Sequence, residues 1–140
     1  VKKSQINLPK KINIEISHHY GLDKFYKYGL SMFTIVNREY CKKILVVLPN
    51  QIHPTQFHKK KEETFNVLHG NLVLILNDKK KTLNSGDVVT IRPGDTHKFY
   101  SKKGCVIEEI STTHFKSDSF YIDKKIHNNK NRKTIVNFWM

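Results

Sequence analysis

The stretch that decides the fold is HPTQFHKKKEETFNVLHG, residues 53–70, where histidine, glutamine and carboxylate side chains recur inside an otherwise strand-like sequence. Residues two apart on an extended strand share a face, so Gln56 and His58 point the same way. Glu63 follows at the start of the next predicted strand, and His97, far along the chain, can complete the set. Imidazole, amide and carboxylate groups together suit a divalent ion such as Mn, Fe, Ni or Zn. The pattern predicts a metal site, although each residue alone is also typical of a polar loop or a core histidine.

Around this stretch the sequence is mostly of β type. Short runs rich in β-branched and aromatic residues recur at a spacing of roughly 8–12 residues, which is typical of a sandwich or barrel. The runs 63–69 and 72–78 are joined by Gly70 and Asn71. A two-residue connection that begins with glycine predicts a tight hairpin turn. Lysines 79–81 are predicted to make the turn that follows.

The chain divides into three predicted segments. Residues 1–30 form an N-terminal extension with a short helical or turn segment near its end, and residues 31–126 form the barrel. Residues 127–140 form a tail that begins polar and ends in Phe138 and Trp139. We expect these aromatic side chains to dock on the barrel or on a second subunit.

Composition indicates one soluble domain. A chain of 140 residues with 38% apolar content can bury a core of its own. It has neither a membrane-length apolar run nor a signal-like N-terminus, so we expect no membrane partner and a cytoplasmic location. The two cysteines, Cys41 and Cys105, are predicted to be buried thiols. The first residue is Val rather than Met, which suggests a processed chain or a domain of a longer protein.

The net charge of +13 raises the possibility of a polyanion binder. Only Arg38, Arg92 and Arg132 among the 25 basic residues offer the planar fork that suits base or phosphate recognition. The lysines are scattered in doublets and triplets at predicted turns, where solvated lysine protects sheet edges. We therefore predict no specific nucleic-acid partner, while an anionic ligand remains compatible with the charge.

Two motifs resemble those of the cupin superfamily. The first usual motif is Gly, five residues, His-x-His, three or four residues, Glu, six residues, Gly, and this chain has Gln56-x-His58, four residues, Glu63, six residues, Gly70. The second is Gly, five residues, Pro-x-Gly, two residues, His, and the segment from Gly86 to His97 matches it except for Arg92 at the first Pro. The resemblance implies a single-domain all-β jelly-roll barrel. It says little about the reaction, because this architecture hosts many chemistries.

One departure from the motif affects metal binding. Gln56 replaces the first histidine, and an amide oxygen is a weaker donor than imidazole. His53 is the alternative ligand if Pro54 bends the chain enough to bring it round. Strand parity favours Gln56.

The sequence around the two motifs resembles particular groups within the cupin superfamily. HPTQFHKKKEETF, residues 53–65, looks like the metal-binding segment of D-lyxose ketol-isomerase-like cupins. The segments 16–29 and 108–123 are also similar to the C-terminal cupin domain of N-acetylneuraminate synthase-type proteins. These resemblances imply either a metal-dependent aldose–ketose isomerase or epimerase, or a non-catalytic sugar-binding domain of a longer synthase-type chain. The ligand in both cases would be a small sugar or sugar acid, and small cupins commonly form homodimers, here through residues 135–140.

An isomerase needs a base besides its metal. In CVIEEIS, Glu109 shares a face with Ile107 and Ser111, which makes Glu109 the candidate base if that face lines the barrel. A surface ion pair is an equal alternative. Lys60 is the second catalytic candidate, since it could hold an anionic group or stabilise an enediolate, although a solvated lysine is the alternative. Candidates for binding the sugar, each also open to an ordinary structural role, are His114, Asp118 and Tyr40.

Overall fold

The computed structural model describes residues 2–139, with side chains described for residues 2–136. The described residues form eleven β-strands and few helical turns. The strands are β1 (Lys11–His18), β2 (Gly29–Asn37), β3 (Tyr40–Val47), β4 (Ile52–Phe57), β5 (Glu63–Leu76), β6 (Lys79–Asn84), β7 (Val88–Ile91), β8 (His97–Tyr100), β9 (Cys105–Thr112), β10 (Phe120–Tyr121) and β11 (Lys133–Trp139). Helical turns are the 3-10 helices Lys2–Ser4 and Leu22–Lys24 and the short helix α1 (Lys124–His127).

The strands curl into one antiparallel sheet whose order is β10-β4-β8-β5-β9-β3-β2-β1-β11, with β6 and β7 also paired to β5. The long strand β5 belongs to both layers of the roll. Its first half pairs with β7 and β9, and its second half pairs with β6 and β8. The predicted all-β jelly-roll fold is confirmed.

The predicted hairpin at Gly70 is wrong, because β5 runs through this position without reversing. Gly70 has a φ of 78°, next to a register shift between Val67 and His69 in the pairing with β9. A Cβ at Gly70 would lie 2.5 Å from the carbonyl oxygen of Gly104. Glycine is therefore required where β5 bends from one layer to the other.

The next turn also differs from the prediction. Asn77 and Asp78 both have positive φ, 47° and 64°, which is the backbone of a two-residue type I′ hairpin. Lysines 79–81 lie in β6 after this turn. Asn77 also holds the neighbouring loop, since its side-chain oxygen accepts a hydrogen bond from the backbone N–H of Thr96 (2.9 Å).

The apolar core lies between the two layers of the roll. The ring of Phe65 packs edge-to-face on Phe99, with centroids 5.6 Å apart. Both side chains are fully buried, and burial of one such ring contributes about 2–3 kcal/mol. Their neighbours in the core include Leu45, Leu74 and Ile107. This cluster forms the floor of the cavity described below.

The terminal segments join the sheet. Strand β1 lies between β2 and β11, so a segment from the predicted extension and one from the predicted tail become neighbours. Phe138 and Trp139 pair through their backbone with Ile12 and Lys11. The side chains of Phe138 and Trp139, for which docking was predicted, lie outside the described residues, as does Met140.

Cys41 and Cys105 are buried free thiols, as predicted. Burial raises the pKa of Cys105 to about 11, so its thiol is protonated at neutral pH. Among residues 2–139, no helix has the length and apolar character needed to cross a membrane.

Two buried histidines, His19 and His53, contact each other edge-to-face. His19 is buried, and its Nε2 is 3.1 Å from the hydroxyl of Tyr121. Its ring contacts the buried ring of His53, with centroids 4.9 Å apart. Burial lowers the pKa of His19 from the usual 6.5 to about 3, and burial likewise holds the pKa of His53 well below 6.5. Both rings are therefore neutral in the folded protein across the mildly acidic range.

We expect this buried histidine pair to make the fold sensitive to acid. The unfolded chain takes up protons below pH 6.5 and the folded chain does not, so the free energy of unfolding falls as the pH drops. His19 alone should contribute a loss of about 2 kcal/mol between pH 6.5 and pH 5. Urea unfolding of the wild type and His19→Gln at both pH values measures it, and His69→Gln, at an exposed position, is the control. An equal pH dependence in His19→Gln and wild type would contradict this account.

Candidate metal centre and its cavity

Three buried side chains bring potential ligand atoms together between the layers. His58 follows β4, Glu63 begins β5 and His97 begins β8, and their ligand atoms all lie within 4.8 Å of one another. Oε1 of Glu63 is 3.1 Å from Nε2 of His97 and 3.5 Å from Nε2 of His58. The sequence motifs therefore placed three of the four predicted ligands in one cluster.

Neighbouring carbonyl groups orient both imidazole rings. His58 donates from Nδ1 to the backbone carbonyl of Asp118 (2.6 Å), and His97 donates from Nδ1 to that of Asp95 (3.1 Å). A carbonyl can only accept, so a neutral ring in either position has its Nε2 lone pair turned toward Glu63. Hydrogen bonds from the far ring nitrogen are the usual support of a metal-binding histidine.

The donor set fits a cation. Nε2 of His58 and Oε1 of Glu63 are buried and have no hydrogen-bond donor among the described residues. Two lone pairs and a carboxylate oxygen that face one another repel unless a positive charge lies between them. Imidazole and carboxylate ligands suit a divalent transition metal. A divalent ion would supply the missing charge.

Gln56 lies beside this cluster. The side chain is buried, and its Nε2 is 3.3 Å from Nε2 of His97. Rotation of the amide by half a turn would exchange its nitrogen and oxygen, so Gln56 can offer an oxygen to an ion at the same place. Backbone pairing of Gln56 with His97 between β4 and β8 fixes this position.

His53 lines the same cavity, contrary to simple strand parity. The register between β4 and β8 shifts between His53 and Gln56, so a bulge at Pro54 brings both side chains to the buried face. The ring of His53 stacks on Phe99 with centroids 4.5 Å apart. His53 therefore packs behind the cluster, whereas Gln56 contacts one of its ligand atoms.

A buried lysine joins the cluster to the candidate base. Nζ of Lys61 is 2.9 Å from Oε2 of Glu63 and 2.8 Å from Oε1 of Glu109, and all three side chains are buried. Burial alone would lower the pKa of Lys61, but the two carboxylates outweigh it and raise the pKa above its usual value. Burial would raise the pKa of Glu63, but the positive charge of Lys61 holds it well below its usual value. Lys61 and Glu63 are therefore both charged at neutral pH.

Sequence reasoning selected Lys60 and missed Lys61. Lys60 is exposed, with its ammonium group 5.2 Å from the ring centroid of Phe115. Strand parity could have predicted that Lys61 points inward, because Lys61 lies two residues before Glu63 and shares its face on an extended strand. The pattern of three consecutive lysines, residues 59–61, predicts exposed side chains, whereas the side chain of Lys61 points into the interior.

Strand parity does hold at the glutamates of β9. Glu109, Ile107 and Ser111 are all buried, whereas Glu108 is partly exposed and pairs with Lys42 (2.9 Å). The surface ion pair weighed as an alternative is thus formed by Glu108. Glu109 faces the cavity.

The remaining predicted site residues have different positions. The carboxylate of Asp118 accepts backbone hydrogen bonds from Lys59 (2.9 Å), Lys60 (3.2 Å) and Lys61 (2.9 Å), which is the loop-capping role. Asp118 thus holds the ligand loop and leaves little capacity for a sugar hydroxyl. The side chain of Tyr40 is 59% exposed at the start of β3 and does not line the cavity.

His114 lies where the cavity meets the surface. The inner cavity holds about 30 Å³, enough for an ion and little more than a water molecule. His114 lines both this cavity and an outer groove of about 450 Å³. Burial, together with nearby lysines including Lys43, lowers the pKa of His114 to about 2, so its neutral ring can exchange hydrogen bonds with hydroxyl groups.

Comparison with known proteins agrees with the fold. Residues 43–107 match the family profile described as cupin domain. The chain is 27% identical to a D-lyxose/D-mannose isomerase of Thermosediminibacter oceani over 90% of this chain and 86% of that protein. It is 28% identical to a D-lyxose ketol-isomerase of a Thermofilum species over 84% of this chain and 81% of that protein.

Solved structures show the same architecture. An L-ribose isomerase of Geodermatophilus obscurus superposes with a TM-score of 0.74 at 12% identity, covering 94% of this chain and 90% of that one. The L-ribose isomerase of Cellulomonas parahominis gives a TM-score of 0.71 at 12% identity, with 81% of each chain covered. At such identities the likeness concerns the fold alone.

We expect the purified protein to bind a divalent transition metal through His58, Glu63 and His97. Saturation with Mn²⁺, Fe²⁺, Ni²⁺ or Zn²⁺ at 100 times the dissociation constant should stabilise the fold by about 2.7 kcal/mol. Elemental analysis and the melting temperature with and without metal measure this. His58→Ala and His97→Ala should lose both signals, and His69→Ala should keep them. If none of the four ions changes the melting temperature of the wild type, the prediction of a metal site is wrong.

The fourth ligand can be tested separately. Gln56→Ala should weaken metal binding and Gln56→His should strengthen it, because imidazole is the better donor for these ions. His53→Phe keeps an aromatic ring on Phe99 and should leave the affinity unchanged. Competition with a chelator measures the dissociation constants. A loss of affinity in His53→Phe but not in Gln56→Ala would assign the fourth position to His53.

Proposed function

We propose that this chain, a member of the cupin superfamily, is a sugar isomerase that interconverts an aldose and a ketose. The observation that carries the proposal is the buried bridge from Glu63 through Lys61 to Glu109, which places a second carboxylate beside the His58 and His97 cluster. Similarity to two D-lyxose isomerases over more than four fifths of the chain supports the same reaction class.

The ion would be held by His58, Glu63 and His97, with Gln56 beside them. When bound there, a divalent ion supplies Lewis-acid polarisation of a sugar carbonyl and hydroxyl pair. Glu63 is already committed to this cluster through Oε1 and to Lys61 through Oε2. Glu109 is therefore the carboxylate left to move a proton.

Glu109 would act as the base. In the aldose-to-ketose direction it removes the proton from C2 of the open-chain sugar, and the electron pair of that C–H bond forms the C1–C2 double bond of an enediolate. Return of the proton to C1, with transfer of a proton from O2 to O1, completes the ketose. A carboxylate 2.8 Å from a buried ammonium group is fixed in orientation, which favours a defined proton transfer.

Lys61 would supply positive charge to the reacting sugar. Its raised pKa keeps it protonated, so it acts as a hydrogen-bond donor to the oxygen that gains negative charge and not as a base. The 30 Å³ cavity is far smaller than the usual ligand pocket of about 300–1,000 Å³. Entry of a sugar would therefore move Lys61 away from at least one of its two carboxylates, which its flexible side chain allows.

A non-catalytic sugar-binding cupin domain of a synthase-type chain is the second candidate. Gln56 at the first ligand position is the observation in its favour, since an amide weakens the donor set. Retained sugar binding without turnover, in metal-loaded protein, would support this candidate over the isomerase.

We expect Glu109→Gln to lower kcat by at least about 100-fold, because general-base catalysis contributes factors of this size. KM and metal content should change much less, whereas the melting temperature should fall because Lys61 loses one of its two buried carboxylate partners. The metal-loaded protein is assayed with a panel of aldoses and ketoses that includes lyxose and mannose. Glu108→Gln is the matched control, since Glu108 is adjacent but pairs with Lys42 on the outer face.

Deuterium oxide as solvent tests the proton step itself. Transfer through Glu109 predicts incorporation of solvent deuterium at C1 of the ketose product, detected by NMR. Full isomerisation without exchange would indicate a hydride shift between the carbons instead. A Glu109→Gln variant as active as the wild type would remove Glu109 from the mechanism.

A further inference from the structure

We propose that the sugar carries an anionic group, a phosphate or a carboxylate, and that Lys43 binds this group at the inner end of the outer groove. This inference rests on the isomerase function proposed above and specifies its substrate class. It starts from a lysine that the isomerisation chemistry does not use.

Lys43 is a buried lysine without an ionic partner. Its side chain on β3 is 2% exposed, and it lines both the inner cavity and the outer groove. Among the residues that the structure describes, no carboxylate lies within 4.0 Å of it and no side-chain hydrogen bond satisfies it. Its neighbour Lys42 shows the contrast, since Lys42 is half-exposed and pairs with Glu108.

The other interior lysines near the cavity are paired. Lys61 contacts Glu63 and Glu109. Lys133 contacts Glu15 at 2.6 Å, so the carboxylate that lines the outer groove is already paired. Lys43 has no such partner, and the cavity and groove that it lines give its ammonium group room to contact a ligand. An anionic group bound there would supply the missing partner.

The charged residues around the opening of the outer groove are mainly basic, as Lys43 is. A second groove of about 560 Å³ adjoins the first, and the two share Glu15, Lys116 and Ile135. The basic residues that line this second groove are Lys116, Lys130, Arg132 and Lys133, and Glu15 is its one acidic residue among those described. Such an opening attracts anions and raises their rate of association at low ionic strength.

The distance to the reacting carbons suits a small sugar. Lys43 and Glu109 are direct partners across β3 and β9, and both side chains face the interior. Directly opposed residues in an antiparallel pair have Cα atoms about 4.5–5.5 Å apart. A sugar whose C1 and C2 contact Glu109 would therefore lie within reach of the flexible side chain of Lys43. His114, which lines both spaces, lies along the same path.

Equilibrium binding tests the inference without requiring turnover. The metal-loaded protein is titrated calorimetrically with a hexose, its 6-phosphate and the corresponding hexuronic acid. We expect at least one anionic sugar to bind about 10–100-fold more tightly than the neutral one, the range of a charged hydrogen bond. Comparison of the two anionic sugars shows whether phosphate or carboxylate is preferred.

Lys43→Met and Lys42→Met form the matched pair of variants. Lys43→Met should abolish the preference for the anionic sugar, because it removes the ammonium group and keeps a side chain of similar length. Lys42→Met should keep the preference. Equal affinity of the wild type for neutral and anionic sugars, or a preference that survives in Lys43→Met, would overturn the inference.

Turnover is scored separately, so that the two proposals can fail independently. Isomerisation of neutral sugars without any anionic preference would leave the proposed reaction standing and end the role of Lys43. A Lys43-dependent preference in a protein that converts none of the sugars would keep the anion site and end the isomerase proposal.

Discussion

The interior of this barrel depends on the neutralisation of buried carboxylates. Glu63 and Glu109 approach from neighbouring strands of one layer, and Lys61 holds both through a single ammonium group. Removal of one partner from such a buried ion pair lowers the free energy of unfolding by about 3–5 kcal/mol, because the remaining charge is neither paired nor hydrated. The Lys59 to Lys61 loop is in turn fixed by Asp118, whose carbonyl also orients His58. Ligand orientation, loop conformation and charge balance are thus properties of one connected network.

Strand β5 explains how residues distant in the sequence reach this network. Its first residue, Glu63, lies in the layer with β9, and its last, Leu76, pairs with His97 in the other layer. The bend at Gly70 allows one strand to belong to both, since no side chain fits beside the Gly104 carbonyl. The six residues between Glu63 and Gly70 in the first motif therefore fix how far Glu63 lies from the bend. This distance in turn sets the position of Glu63 relative to His58 and His97.

Sequence reasoning succeeded where the rule was local and regular. Motif spacing predicted that His58, Glu63 and His97 lie together, as they do in the structure, while their role as ligands stays a prediction. Parity along β9 predicted that Glu109 faces inward and Glu108 outward. Sequence reasoning failed where contacts between distant residues decide the conformation. A hairpin was wrongly predicted at Gly70, lysines 79–81 were wrongly placed in a turn, and the burial of Lys61 was not predicted. A glycine that permits a turn also permits a bend, and only the approach of Gly104 distinguishes them. The inward turn of His53 was predicted only as an alternative that required a bend at Pro54, because strand register is a property of two strands and cannot be read from one.

The replacement of histidine by Gln56 leaves the formal charge of the donor set unchanged, because both side chains are neutral as ligands. If a divalent ion is bound as proposed, the carboxylates of Glu63 and Glu109 would balance its two charges. Lys61 and Lys43 would then remain as excess positive charge along the cavity. Neutral sugars would leave that excess uncompensated in a site from which water is largely excluded. An anionic sugar would reduce it, and its negative charge would lie close to the lysine that lacks a partner. The electrostatics of the whole cavity, and not Lys43 alone, therefore favour a substrate that carries negative charge.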